Sequence, residues 1–250
     1  MTARPSARKI RSGARVWRRI SELALLLAVL AMAPAARAAE DRFAQVHRIA
    51  IIAAFGDRFE IWAHGWTDKD NHVGYRPIDG WGLDDLAKQT AIDVIGNRFQ
   101  IVPITYDSSS FIVPDMDPPS EDLPPIKSLI LALPPSDVDA YLVIRKRTYH
   151  LSGPAYVMDG LTARSNPLLR SRNVFVTMQV DLVDARTGRT LSARFLSGRT
   201  GISREDWADT PEQMSDAQAQ NLRRRIADLI TRYLTGALNS MGLTGTQVAP

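Results

Sequence analysis

The chain has 250 residues, with 31 Lys and Arg, 27 Asp and Glu and no cysteine. Lack of cysteine excludes disulfides, thiolate metal sites, a cysteine nucleophile and lipid attachment to an N-terminal cysteine. The net charge of +4 is uneven: residues 39 to 250 hold 23 basic and 26 acidic residues, net −3, so the basic composition that would argue for a nucleic-acid partner belongs to residues 1 to 38.

Residues 1 to 19 carry Arg4, Arg8, Lys9, Arg11, Arg15, Arg18 and Arg19 with no acid. Leu23 to Ala33 are apolar, and Ala36-Arg37-Ala38 offers small residues for cleavage. This succession predicts a signal peptide over 1–38, cut between Ala38 and Ala39. The apolar run before Pro34 falls short of the ~20 residues a spanning helix needs, so the expected product is a periplasmic protein with no transmembrane span. The Ile-Ser-Glu-Leu after Arg18-Arg19 favours the general export route over a twin-arginine one. Residues 39–250 suit a single domain, large enough to bury about 70% of the unfolded chain's surface.

Val46 to Phe55 is almost continuously apolar after Arg48, which predicts a central strand buried on both faces. An excursion follows at 56–82: a strand at Phe59 to His64, a polar turn at 67–71 and a further short run at Val73-Gly74-Tyr75. From Gly82 to Asn97, Leu83, Leu86, Ala87, Ala91, Val94 and Ile95 fall on one helical face, with Asp84 and Asp85 at the positive end. Phe99 to Tyr106 reads as an edge strand, with Pro103 inside it. Eight of the 15 prolines lie between Pro103 and Pro135, giving a Pro-rich loop at 107–125 and then a short helix from Ile126 to Leu133. Asp139 to Leu151 contains a second buried strand at Ala140 to Ile144 whose far end turns basic.

Val174 to Gly198 predicts a hairpin. In its first arm Val174, Val176, Met178, Val180 and Leu182 share one face, and Leu191, Ala193 and Phe195 are expected to repeat the pattern in the second. Asp184 and Gly188 suit the turn between them. The last element is the longest helix, capped by Ser215, with an apolar stripe from Ala219 to Met241 and closed by Gly242.

Four segments carry a family resemblance: Arg48 to Ile52, Gly96-Asn97-Arg98-Phe99-Gln100-Ile101-Val102, Asp139-Ala140-Tyr141-Leu142-Val143, and Val183-Asp184-Ala185-Arg186-Thr187-Gly188. In their order they resemble the bacterial envelope α/β domain shared by the curli-secretion lipoprotein, the penicillin-binding-protein activator lipoproteins and the N-terminal domain of the Tol-Pal translocation protein. The resemblance implies a mixed β-sheet with helices packed against it, anticodon-binding-domain-like and Tol N-terminal-domain-like. It also implies a non-enzymatic adaptor that binds another cell-envelope protein. Two departures stand out: the lipidated cysteine of the lipoprotein members is missing, and no β-propeller length follows the domain.

Catalytic signatures are missing. There is no Gly-x-Ser-x-Gly, no phosphate-cradling loop with Lys, no His-Glu-x-x-His and no dinucleotide fingerprint, so no cofactor is expected. His64 and His72 flank Asp68 and Asp70, which could hold a metal in a periplasmic hydrolase or metal-dependent enzyme, the alternative function. A hydrated turn between strands is the simpler explanation, and Val73 stands where a calcium hand needs glycine. Ser108-Ser109-Ser110 with His150 has the residue types of a triad but no spacing that brings them together. The candidate partner-binding residues are therefore Trp62, His64, Trp66, His72, Tyr75 and Trp81, an aromatic and polar set in an excursion longer than the ~2–6 residues such connections usually take. Arg145, Lys146 and Arg147 are a candidate anion contact.

Overall fold

Runs of β-branched and aromatic residues account for most of the strands, and amphipathic periodicity accounts for the two longer helices. The computed structural model describes residues 43–65, 68–112, 125–150, 157–166 and 171–245, with backbone only at residues 68, 149–150 and 157–158. The expected leader, Trp66 and the centre of the Pro-rich loop lie outside the described residues. The elements are β1 (Arg48–Ala54), β2 (Arg58–Ala63), β3 (His72–Pro77), α1 (Leu83–Ile95), β4 (Gln100–Ile101), α2 (Ile126–Leu131), β5 (Ala140–Lys146), β6 (Tyr149–His150), β7 (Val157–Met158), β8 (Leu161–Asn166), β9 (Ser171–Asp184), β10 (Thr190–Gly201) and α3 (Asp216–Ser240).

Residues from Gln45 onward form one unit. Among the described residues its main sheet has eight strands, ordered β3-β2-β8-β9-β5-β1-β4, with β10 on the other side of β9. It is a mixed sheet. β1 runs parallel to β4 and β5, and β2 runs parallel to β8, while β9 is antiparallel to β5, β8 and β10. The expected sharing of one sheet by the first strand, the 140–144 strand and the hairpin holds. The strand expected at Phe99 to Tyr106 shrinks to Gln100–Ile101, and Pro103 explains the early end, since it has no N–H to donate to a ladder.

The register carries a larger feature. β9 is 14 residues long, and one of its edges is shared end to end by β8, opposite residues 171–176, and β5, opposite 178–184. β1 and β2 lie end to end in the same way beside β5 and β8. The sheet is thus crossed by a seam, where Gly56 separates β1 from β2 and β5 ends at Lys146, with β8 starting at Leu161.

Alternation along the strands divides the side chains between two faces. One face presents Ile49, Ala53, Leu142, Ile144, Met178, Val180 and Leu182, all buried, to α1 and α3. In α1 Leu83, Ala87, Ala91 and Ile95 are buried, and in α3 Leu222, Ile226, Leu229, Ile230, Leu234 and Leu238. Each large aliphatic side chain so covered contributes on the order of 1.5–3 kcal/mol before entropy is counted. A capping box starts α3: Gln218 N–H donates to Ser215 Oγ at 3.3 Å and Ser215 N–H to Gln218 Oε1 at 2.9 Å.

The opposite face differs on the two sides of the seam. Over β1 and β5, Ala50, Ile52, Ala54, Tyr141 and Val143 pack with Phe111 and Ile130, flanked by Ile104, Tyr106, Ile112 and Leu133. The hairpin departs from expectation here. Ala193 pairs with Asp181 and Phe195 with Gln179, after a register shift between Thr190 and Ser192, so these two apolar residues join the polar side of β9 and Phe195 is exposed. A one-residue shift moves every following side chain to the other face.

Candidate functional site

The seam holds a buried polar network. Lys146 donates to Asp159 Oδ2 at 2.7 Å, and both side chains are almost fully enclosed, at 4% and 2% exposed. Arg58 Nε lies 3.7 Å from the same oxygen. Glu60 Oε2 accepts from Asp159 N–H at 3.0 Å, and Thr162 Oγ1 sits 2.7 Å from Glu60 Oε2 and 2.6 Å from the Asp159 carbonyl. A hydroxyl has one proton. The Thr162 hydroxyl therefore serves one of these two acceptors at a time, and burial pushes the Glu60 carboxyl above its ordinary value while the hydrogen bonds from Thr162 and Asp159 N–H pull the other way.

Local geometry makes room for this network. Gly56 has φ +79, and a Cβ there would come within 3.3 Å of Ile112 Cδ1 and Lys146 Cε. A Cβ at Gly160 would stand 2.7 Å from Lys146 Cβ and 2.8 Å from the Thr177 carbonyl oxygen, so only glycine fits where the loop rejoins the sheet. Thr177 bridges the gap: its N–H donates to Gly160 O, its carbonyl accepts from Arg147 N–H, and its hydroxyl donates to Arg147 O at 2.5 Å.

Around the network lie the residues singled out in the excursion. That excursion is part of the main sheet, as β2 and β3, and its centre is core: Phe59 and Ile61 are buried, as are Trp62 and Trp81. Trp81 meets Phe59 at 5.7 Å between ring centroids. Trp62 stacks on His64 at 5.1 Å and 12°, the Arg164 guanidinium lies 5.0 Å from the Trp62 ring, and Arg164 Nε–H donates to His64 Nε2 at 2.8 Å. Tyr75 and Val73, opposite Glu60 and Trp62, are 45% and 50% exposed, with the Arg58 guanidinium 4.6 Å from the centre of the Tyr75 ring. His72 is exposed. Structure therefore brings Trp62, His64 and Tyr75 onto one face of β2 and β3 and places Trp81 on the helix-covered side.

The metal reading of the His64–His72 turn finds no arranged ligand set: among the described residues no group of three or more His, Asp or Glu could hold an ion. The serine run forms a 3-10 turn in which Asp107 accepts from Ser109 N–H at 3.0 Å and from the hydroxyls of Ser109 and Ser110.

The basic triplet splits by depth. Lys146 is buried, not solvated as its place at a strand end suggests, because Asp159 pairs with it and Gly56 and Gly160 pack against its side chain. Arg147 is exposed and donates to Gln179 Oε1 at 3.2 Å. Arg145 is mostly covered, with its Nη2 3.8 Å from Asp181 Oδ2.

One further feature escaped the sequence. A cleft of about 480 Å³ opens where β1 ends and α1 begins, lined by Gly56, Asp84, Lys88, Thr105, Tyr106 and Ser108 among others. Asp84 Oδ1 accepts from Phe55 N–H at 2.8 Å, which ties α1 to the end of β1, and burial raises its pKa. Tyr106 anchors the other wall through its hydroxyl, which meets Ala53 N–H and O at 2.9 and 3.1 Å. Asp84-Asp85 announces the helix start in sequence, but nothing there reveals the approach of residues 104–108.

No protein-family model matches the chain, and no curated protein matches it. Loose architectural likeness extends to several solved structures. A Xanthomonas campestris protein described under family model DUF330 aligns at TM-score 0.39 with 9% identity, over 79% of this chain and 85% of that one. Lipoprotein GNA1162 from Neisseria meningitidis aligns at TM-score 0.30 and 13% identity, over 74% and 99%. The PelC dodecamer from Paraburkholderia phytofirmans gives 0.31 and 12%, over 82% and 91%.

Proposed function

We propose that this chain is a non-enzymatic, exported adaptor of the bacterial cell envelope. In this reading residues 1–38 are removed as a signal peptide, and 39–250 act in the periplasm by binding another envelope protein. The partner surface is the face of β3 and β2 that carries Val73, Tyr75, Arg58 and His64, with His72 at its rim; Trp66, the remaining candidate, lies outside the described residues. The observation that carries it is the pairing of two large, exposed side chains, Val73 and Tyr75, on one edge strand, with Arg58 stacked over the tyrosine. Such an aromatic held beside a guanidinium loses little freedom on docking, and Tyr and Arg are enriched at interface hot spots. Trp62 lies beneath as support. The titratable groups nearby, Glu60, Asp159 and Lys146, are consumed by one another in the seam, which suits a framework better than proton transfer.

The test is affinity purification from the envelope fraction with the wild type and a Val73→Ser, Tyr75→Ala variant in parallel. A partner retained by the wild type and lost by the variant, at unchanged circular dichroism and thermal midpoint, supports the reading. Equal recovery of that partner by both proteins would move the contact elsewhere.

A further inference from the structure

Among the described residues the Arg145 guanidinium has no hydrogen-bond partner. Its nearest carboxylate oxygen, on Asp181, is 3.8 Å away, its Nε is buried without a partner, and none of its N–H groups bonds to any described residue. Its side chain is 14% exposed, and burial pushes its pKa below the usual arginine value. Buried guanidinium groups are rarely left this way, because each unmade bond to a charged donor is costly.

The sheet register shows what surrounds it. Arg145 stands opposite Gln179, and Gln179 opposite Phe195, so the three form one row across β5, β9 and β10 on the face away from α1 and α3. Gln179 Nε2 donates to Asp181 Oδ1 at 2.8 Å, while its Oε1 accepts from Arg147 at 3.2 Å. Gln179 is thereby locked, and Asp181 has one oxygen engaged by it. Two guanidinium groups face one carboxylate, leaving a surplus of one positive charge beside the exposed ring of Phe195.

We propose that Arg145 and Arg147 form a binding site for a single carboxylate of an organic ligand, with Phe195 as the shelf for the ligand's apolar body. The guanidinium fork matches the two oxygens of a planar carboxylate, and one negative charge balances the surplus. A doubly charged phosphate would overshoot it in a partly dehydrated place. Lys146 takes no part, since Asp159 holds it below the surface. The site does not depend on the partner surface proposed above, which lies across the seam on β2 and β3.

The Arg145 Nε–H, buried within the site, provides a direct NMR probe. Phenylacetate titrated into ¹⁵N-labelled protein should shift that resonance and the Gln179 side-chain amide with one saturating curve, while 2-phenylethanol, which lacks the carboxylate, leaves both in place. Arg147→Gln should weaken the binding about tenfold, the loss of one charged hydrogen bond. Arg145→Lys, which keeps the charge and removes the fork, should weaken the Gln179 response at least as much with the circular dichroism spectrum unchanged. Failure to saturate by about 50 mM, well beyond the millimolar range expected of such a contact, overturns the site. So does an undiminished response in either variant, and inorganic phosphate binding as tightly as phenylacetate overturns the carboxylate assignment.

Discussion

The two halves of the sheet share β9 and a common helix-covered face, yet their opposite faces are built from different chemistry. On the β1–β5 side that face is closed by Phe111, Ile130 and their neighbours over Ala50, Ile52 and Val143. On the β2–β8 side it carries Glu60, Trp62, Thr162 and Arg164, with Tyr75 and Val73 at the edge. Apolar burial on both faces makes the first half the rigid part. The second half is held by directed polar contacts, which fix orientation more than they add net stability. That contrast is the ground on which the partner surface is proposed for the second half.

The contrast can be broken most severely at the seam. Asp159→Ala leaves Lys146 buried without its partner and should cost about 3–5 kcal/mol in urea unfolding, whereas Asp159→Ala combined with Lys146→Met should recover much of the loss. If the single and double variants unfold alike, the ion pair is not what closes the seam. A milder change on the covered side, Ile52→Val, should cost about 0.5–1.5 kcal/mol, as expected for one methylene at a fully buried position.

Proton linkage sharpens the comparison further. Burial raises the Glu60 pKa above its unfolded value of 4.5, so the native state holds this proton more tightly than the unfolded chain does. Its contribution is complete below about pH 4.5 and is lost as pH rises through the raised folded value. Glu60→Gln should remove that loss, so its stability relative to the wild type should climb as pH increases above 4.5, measured by denaturant midpoints across pH 4 to 8. A difference that stays flat would mean Glu60 remains ionised in the fold. Smallest of all is Tyr75→Ala, which should change stability by less than about 0.5 kcal/mol because the side chain is half exposed. A larger loss would make Tyr75 part of the framework.

Much of the first half is legible in the sequence. Continuous apolar runs at Arg48 to Ala54 and Ala140 to Ile144 signal strands buried on both faces, and the stripe from Ala219 to Leu238 signals the long helix. Asp139 also anchors what the motif there suggests: its Oδ2 accepts from the N–H groups of His47 and Arg48, both at 2.8 Å, aligning β5 with β1. The second half is less legible because its logic is non-local. β2 finds its parallel neighbour in β8, about a hundred residues away, and β8 has an ordinary polar composition that marks it weakly as a strand. The burial of Trp62 and Lys146 follows from that pairing and from the approach of Asp159 and Gly160 at the start of β8. Likewise the outward turn of Phe195 depends on a single register shift in the hairpin.

The end-to-end arrangement on β9 also bears on how the chain comes together in time. During synthesis β1 and β2 emerge first, but the strands that flank them, β5 and β8, follow some ninety to a hundred residues later, and both dock on β9 later still. Two strongly apolar strands must therefore wait through most of translation before they are covered, with only the short β1–α1–β4 unit and the β2–β3 hairpin to occupy them. Completion of residue 184 is the step that lets both halves close, so a chain cut short before it exposes apolar strand faces that the finished fold covers.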